Sequence, residues 1–510
     1  MKRESIHLLL FLTLISLGAV LSSCRDDSTT YATSEIPGVV IDTTGMPQLR
    51  LLQFEELEVA PELHTEGVGE SDLSYEWRLY YAQNDTLSEV ISEQRNLEGY
   101  EVELTPNEED DPYQVQYTVT DESNGLEYIM AWPLYVMNSL GEGLVIAETD
   151  NGSDTDLSLI MAPEVTEDYS EVNIQRKVYS TINDELIPGL VQDMQPVNIY
   201  GDPVLLAITG QSVMRISRLD YSYHSMNEEL FHYAPSQFSP QKLGGIYQGT
   251  VLVNNGDLYE EYLRSSRRFT APIDAPFPFT VPAQVALDAV LYEQIPVTFY
   301  DEVNEQFIYY EAGEEMNLMP SGSGETFDPS EVTNKENMAA GVAVNGDFRH
   351  LLRDKDSGSF TLYIFNDEVS NYPDPVTPPL PKAMYDFSGA PAIEQAEYFV
   401  LPDNQRVMYY ATSTTVYAAL YSTSSPVFEE RYTAPAGEEI TSLQLYQQSG
   451  YPSDDPFIDT NHRQLVMSTY DGSEGKVYLL PITNLGVGNI DEGNIKSFGG
   501  FGRITAIKPQ

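Results

Sequence analysis

The turn Asp150-Asn151-Gly152-Ser153-Asp154-Thr155-Asp156 concentrates hard oxygen ligands in this 510-residue chain. Carboxylate oxygens crowded into a turn are the ligand type that calcium takes. Asp150, Asp154 and Asp156 are therefore the candidate calcium ligands, although their spacing is not that of an EF-hand and a solvated turn has the same composition. Glu108-Glu109-Asp110-Asp111 is a second acidic cluster with the same two readings. Aromatic rings set among amides and carboxylates are the other chemistry on offer. Tyr221, Tyr223 and Tyr233 lie in one segment with His224 and His232, and Tyr446 and Tyr451 bracket Gln447-Gln448-Ser449-Gly450. Rings on loops stack against sugars or grip peptides. Tyrosine is equally a strand and core residue, and the pattern does not separate the two.

Catalytic signatures are missing from the sequence. It has no His-Glu-x-x-His pair and no phosphate-cradling Gly-Lys-Ser/Thr loop. It has no Gly-x-Ser-x-Gly elbow, and Ser321-Gly322-Ser323-Gly324 reads as a glycine-rich linker. His224 and His232 are spaced poorly for a shared metal. With 79 Asp and Glu, two acids at glycosidase distance are expected by chance, so a hydrolytic pair cannot be read from the sequence. The single Cys excludes internal disulfides and cysteine-built zinc sites. A formal charge of −53 argues against nucleic acid and against adhesion through a basic patch. Hydrophobic residues make up 41% of the chain, so the acidity belongs to the surface of a folded protein rather than to disorder.

Lys2 and Arg3 followed by the apolar run Leu8–Leu21 read as an export signal over residues 1–23. Its end, Leu21-Ser22-Ser23-Cys24, resembles the lipobox of bacterial lipoproteins, which implies cleavage before Cys24 and acylation of that cysteine. Several buried acyl chains hold a protein to a membrane durably. Cleavage removes Lys2, Arg3 and Glu4 and takes the charge from −53 to −54. Arg25-Asp26-Asp27 resembles the surface-export signal of lipoproteins in Bacteroidota. Residues 24–45 are rich in Ser, Thr and Asp without periodicity and are expected to be a flexible tether.

Residues 46–138 read as short strands between polar turns. Leu73–Leu79 and Gln114–Thr120 alternate apolar and polar residues, and Asn124-Gly125 is a hairpin signal. The spacing, with Trp77 mid-domain, fits an immunoglobulin-like sandwich. Without paired cysteines, Trp77 is expected to pack against aliphatic residues. Leu73-Ser-Tyr75-Glu-Trp77 followed by Tyr117-Thr-Val119-Thr-Asp121 resembles a PKD-type domain. Arg78-Leu79-Tyr80-Tyr81 departs from that family's continuation after the Trp.

From 139 to 510 a pair of apolar strands flanked by turns recurs seven times, about 45–60 residues apart. Examples are Val204–Ile208 with Val213–Ile216, and Val297–Tyr300 with Phe307–Tyr310. In the fifth copy the pair is Val342–Val344 with Phe360–Ile364. Blades of four strands repeat about every 40–50 residues. The tail Gly499–Ile507 reads as a last strand that closes the ring onto the first blade. The sequence therefore predicts an all-β chain, an N-terminal immunoglobulin-like (PKD-like) sandwich followed by a seven-bladed β-propeller. Several sandwiches in series remain the alternative.

The lipobox, the PKD-like module and a β-rich domain ending in Phe498-Gly-Gly-Phe-Gly502 together resemble the PKD-like lipoproteins of Bacteroidota. These are typically encoded beside SusC/SusD-type outer-membrane nutrient importers. The resemblance implies a non-catalytic accessory protein, lipid-anchored in the outer membrane and facing the exterior. It would partner a SusC/SusD-like transporter and bind an oligosaccharide or peptide, with no cofactor beyond the calcium weighed above. A propeller glycoside hydrolase with paired Asp and Glu, and a surface adhesin, remain open.

Overall fold

The computed structural model describes residues 38–510 except 45–47, 54, 82–83, 103, 105–106, 108–111, 138–139, 168, 170, 200–201, 247–248, 263–266, 289–294, 322–325, 367–375 and 449–456. Leu21, Ser22, Ser23, Cys24, Glu108–Asp111 and Tyr451 lie outside the described residues. The chain divides between Ser139 and Leu140 into two units. Both are built of strands, and Val178–Asn183 is the α-helix among the described residues. No helix among them is long and apolar enough to cross a membrane.

In the first unit, alternation in sequence becomes alternation in burial. Tyr113–Asp121 buries every second residue and lies between Leu73–Tyr81 and Leu126–Met137 in a five-stranded sheet. The hairpin turns at Asn124-Gly125, with Gly125 at φ +74. The Asp121 carboxylate accepts from Ser123 N at 2.9 Å and Asn124 Nδ2 at 2.8 Å, which ties the loop to the strand. Two expectations are adjusted here. Trp77 sits in a core cluster with aliphatic residues as expected, among them Leu79, Val115 and Leu134, and in addition stacks on aromatic rings, 4.2 Å from Tyr117 and 6.0 Å from Trp132. Its indole N–H donates to Gln94 O at 2.9 Å, so the buried ring keeps its polar edge satisfied. The expected tether 24–45 also ends early. Gly38–Asp42 is a strand paired with Glu62–Glu66, because burying Val39 against the core favours ordering it.

The second unit contains, among the described residues, seven antiparallel sheets of three to five strands in chain order. The first strand of each is Arg503–Pro509, Val191–Ile199, Pro240–Ile246, Ala286–Leu287, Lys335–Val342, Tyr398–Val400 and Glu439–Leu445 in turn. Each repeat of the sequence falls in its own sheet. Several middle strands, such as Val204–Ile208, are continuous apolar runs because both faces of the sheet are covered. In the second sheet, Leu205 and Ala207 enter a cluster shared with the first sheet, while Leu206 and Ile208 enter one shared with the third. Seven such shared clusters follow one another around the unit, and the last joins the seventh sheet to the first. The first strands contact each other in the same circuit, with Glu439–Leu445 beside Arg503–Pro509. The layout is propeller-like.

Buried polar groups cross the apolar seams. Arg215 meets Glu261 at 2.8 Å between the second and third sheets, and Tyr310 donates to Glu260 at 2.6 Å between the third and fourth. Thr298 Oγ1 and His350 Nε2 are 3.0 Å apart between the fourth and fifth. Tyr446 Oη donates to Val165 O at 3.2 Å and Gln464 to Glu164 O at 2.8 Å between the seventh and first.

The tail is two strands rather than the single one expected. Lys496–Phe501 completes the seventh sheet, and Arg503–Pro509 pairs with Leu144–Thr149 in the first. The chain changes sheets at Gly502, where a Cβ would lie 2.6 Å from Thr149 O. Val342–Val344 is likewise not a separate strand. The fifth sheet's second strand is Phe348–Asp354, whose Arg349, His350 and Arg353 mask its apolar character.

Candidate binding site where the first strands meet

The converging first strands enclose a cavity of ≈ 440 Å³ to which all seven sheets contribute. Lys508, Gln195, Gly244, Leu287, Gly341, Leu401 and Gln444 represent the first through seventh sheets in its wall. The approach of neighbouring first strands is close: a Cβ on Gly244 would lie 1.9 Å from Leu287 Cδ1. Polar surface outweighs apolar in the wall, and several of its polar groups are fixed in place. Gln195 Nε2 donates to Pro196 O at 3.0 Å and Gln444 Nε2 to Ile507 O at 3.1 Å, which fixes both carboxamides. Asp193 Oδ2 accepts from Lys242 Nζ at 2.8 Å and from Leu243 N at 3.1 Å. Lys508 is half-buried, and burial pushes its ammonium below the usual lysine range, with Asp193 opposing the shift and Lys242 adding to it.

Asp403 lines this cavity and also a second one of ≈ 350 Å³ between the fifth and sixth sheets. Its Oδ1 lies 2.6 Å from His462 Nδ1. In the second cavity Lys382 donates to Asp347 at 2.6 Å. Arg349 is held rigidly, donating to Pro402 O at 2.7 Å and to Tyr421 Oη at 3.0 Å. The Gln405 carboxamide is 8% exposed and neither of its polar atoms has a hydrogen-bond partner among the described residues. Fixed amides and ammonium groups in a cavity wall are suited to orienting a small polar ligand.

The residues singled out in the sequence fall elsewhere. Tyr221 is fully buried in the core between the first and second sheets, and Tyr446 is 1% exposed in that between the seventh and first. Both are core residues, corrected from ligand candidates, because their rings fill apolar seams. Tyr223 and Tyr233 are exposed but line neither cavity. Asp150, Asp154 and Asp156 do line one cavity of ≈ 450 Å³, with their carboxylates already engaged. Asp150 pairs with Lys177 at 2.5 Å, Asp154 accepts from Asn151 at 3.0 Å, and Asp156 accepts from Ser180 N at 3.1 Å. Among the described residues, the three ligand atoms within 4.8 Å of one another belong instead to Asp42, Glu62 and His64 in the first unit. His64 and Glu62 are two apart on one strand, and Asp42 lies opposite Glu62. The sequence carries no distinct signal for the central cavity, because the first strands that hold Gln195, Gln444 and Lys508 mix polar and apolar residues throughout.

No family model and no curated protein matches the chain. Among solved structures, it is similar to a quinonprotein alcohol dehydrogenase-like protein from Bacteroides thetaiotaomicron, at 13% identity and a TM-score of 0.37, over 92% of this chain and 99% of that one. It is also similar to apo AztD from Citrobacter koseri, at 9% identity and a TM-score of 0.36, over 84% of this chain and 100% of that one. The β-propeller domain of Cps50 (Swd1) from Myceliophteria thermophila matches at 10% identity and a TM-score of 0.25, over 59% of this chain and 97% of that one. Likeness of this degree assigns no activity.

Proposed function

We propose that this chain is a non-catalytic binding protein held on the outer face of the outer membrane by lipid on Cys24, and that it serves a SusC/SusD-like nutrient importer. In this reading residues 46–138 are a PKD-like spacer and Leu140–Gln510 is a closed seven-bladed propeller. The circuit of shared clusters, together with the pairing of Leu144–Thr149 and Arg503–Pro509, supports the blade count and the closure. The observation that carries the functional reading is the single cavity drawing residues from all seven first strands. Its size falls in the range of about 300–1,000 Å³ typical of small-ligand pockets, and its fixed amides match the end of an oligosaccharide or oligopeptide.

A pull-down from detergent-solubilised membranes tests the setting. The full chain should fractionate with the outer membrane and bring down a SusC/SusD-like pair, and Cys24→Ser should release it to the soluble fraction. Calorimetric titration of the mature chain with oligosaccharides and oligopeptides tests the cavity. Gln447→Trp puts a large ring at the exposed edge of the wall and should weaken binding about tenfold or more with thermal unfolding unchanged. Absence of both co-purification and binding overturns the proposal.

A further inference from the structure

The central cavity has one lysine whose ammonium its neighbours leave unpaired. Lys242 and Asp193 neutralise each other at 2.8 Å. Asp193 is also committed to the Leu243 amide and to Met194 N. Asp403, the carboxylate that lines the wall, is turned toward His462. Lys508 stands in the same wall, and among the described residues no hydrogen bond or ion pair reaches its ammonium. The charges that act on it are Asp193 and Lys242, which oppose each other. Lys508 is therefore the unpaired cation of this wall, in a protein that carries 79 acidic residues against 26 basic ones. An ammonium in a partly desolvated wall is costly unless something of opposite charge meets it.

We infer that the cavity holds a ligand carboxylate, with the Lys508 ammonium as its counter-ion and the carboxamides of Gln195, Gln444 and Gln447 as partners for neutral polar groups beside it. The inference rests on the cavity being the ligand seat and deepens that reading. One unpaired ammonium matches a single carboxylate. A phosphate group carries nearly two charges and is favoured by guanidinium forks or converging backbone N–H groups, whereas a lone ammonium acts as a point charge. Gln195 and Gln444 are anchored through their Nε2 atoms, and their Oε1 atoms have no partner among the described residues, so they present acceptors to hydroxyl or amide donors. An acidic sugar and a peptide C-terminus both combine a carboxylate with such donors.

Calorimetric titration of the mature chain with two matched pairs tests the inference. The first pair is trigalacturonate and its neutral methyl ester; the second is trialanine and trialanine amide. The carboxylate member of at least one pair should bind about tenfold or more tightly than its neutral partner, and the pair that does so identifies sugar or peptide as the source. Lys508→Met should abolish the preference and Lys508→Arg should retain it. Lys508→Met should unfold at the same temperature as the parent or higher, since it removes a desolvated charge and keeps the aliphatic stem. A preference that survives in Lys508→Met overturns the inference. Neutral members that bind as well as the acids, and are blocked by Gln447→Trp, overturn the carboxylate assignment and leave the ligand seat standing. No binding by any of the four overturns the assignment and counts against the seat as well.

Discussion

His350 shows how far a single buried side chain can set the response of this protein to acid. It is fully buried, its ring nitrogen 3.0 Å from the Thr298 hydroxyl and its ring 5.5 Å from that of Phe307. Burial holds its pKa down to about 3. An unfolded histidine titrates near about 6.5, so as pH falls from there toward about 3 the unfolded chain takes up a proton that the folded chain refuses. Stability is therefore lost on acidification, at up to about 1.4 kcal/mol per pH unit from this residue. Denaturant midpoints at neutral and mildly acidic pH should fall more steeply for the parent than for His350→Gln; parallel slopes would refute the assignment. The Arg215–Glu261 pair makes a second prediction at this scale. Glu261 is fully buried, and burial raises its pKa against the pull of Arg215. Arg215→Met strands that carboxylate and should cost about 3–5 kcal/mol in chemical denaturation. Adding Glu261→Leu should recover most of the loss, because an apolar pair can replace a buried ionic one.

At the scale of elements, legibility followed burial. The strands visible in the sequence are mostly the second and third of each sheet, such as Val204–Ile208 and Val213–Ile216, where both faces meet apolar clusters. Most first strands do not register in the sequence because they border the central cavity; Arg503–Pro509, part of the expected tail strand, and Val342 at the end of Lys335–Val342 are the exceptions. Gln195 and the glycines of Pro240–Ile246 break the pattern of the others, and Ala286–Leu287 is too short to register. The site was hidden for the same reason, since it consists of those first strands. Phe348–Asp354 was missed because its interior positions carry Arg349 and His350, polar groups whose partners lie in neighbouring sheets. Tyr221 and Tyr446 misled in the opposite sense, since a tyrosine among polar residues gives no sign of which face its strand or loop buries. Close contact between elements is equally silent in sequence and has a testable consequence. A Cβ on Gly475 would lie 2.0 Å from Gly502 O, a backbone atom that cannot swing aside as a side chain would. Gly475→Ala should destabilise the protein by about 1–3 kcal/mol in denaturant titration, whereas Tyr233→Ala, at 72% exposure, should stay within about 0.5 kcal/mol of the parent.

At the scale of the second unit, everything depends on how the first sheet is completed. Its strands Leu144–Thr149 and Asp154–Met161 come from the start of the unit and Arg503–Pro509 from its end. The residues that join them belong to different seams: Ile504 and Ile507 enter the cluster shared with the seventh sheet, and Ala506 the one shared with the second. Arg176 clamps the approach, donating to Gly499 O and Gly500 O at 2.7 Å each and lying over the Phe501 ring. Removing residues 503–510 would thus do more than delete one strand. It would bare the edge of Leu144–Thr149, open two apolar seams at once and take Lys508 out of the cavity. An uncovered strand edge pairs with other chains, so the truncated protein should run as higher-order species on size exclusion. Ile507→Ala is the milder counterpart: it opens one seam, keeps the backbone pairing, and should cost about 2–5 kcal/mol while the protein elutes where the parent does. Calorimetry should then separate the two, with one cooperative transition at a lower temperature for Ile507→Ala and a broad, aggregation-coupled one for the truncation. A truncated chain that melts as sharply and as high as the parent would mean that the sheets stand independently, and that the circuit is not what holds them.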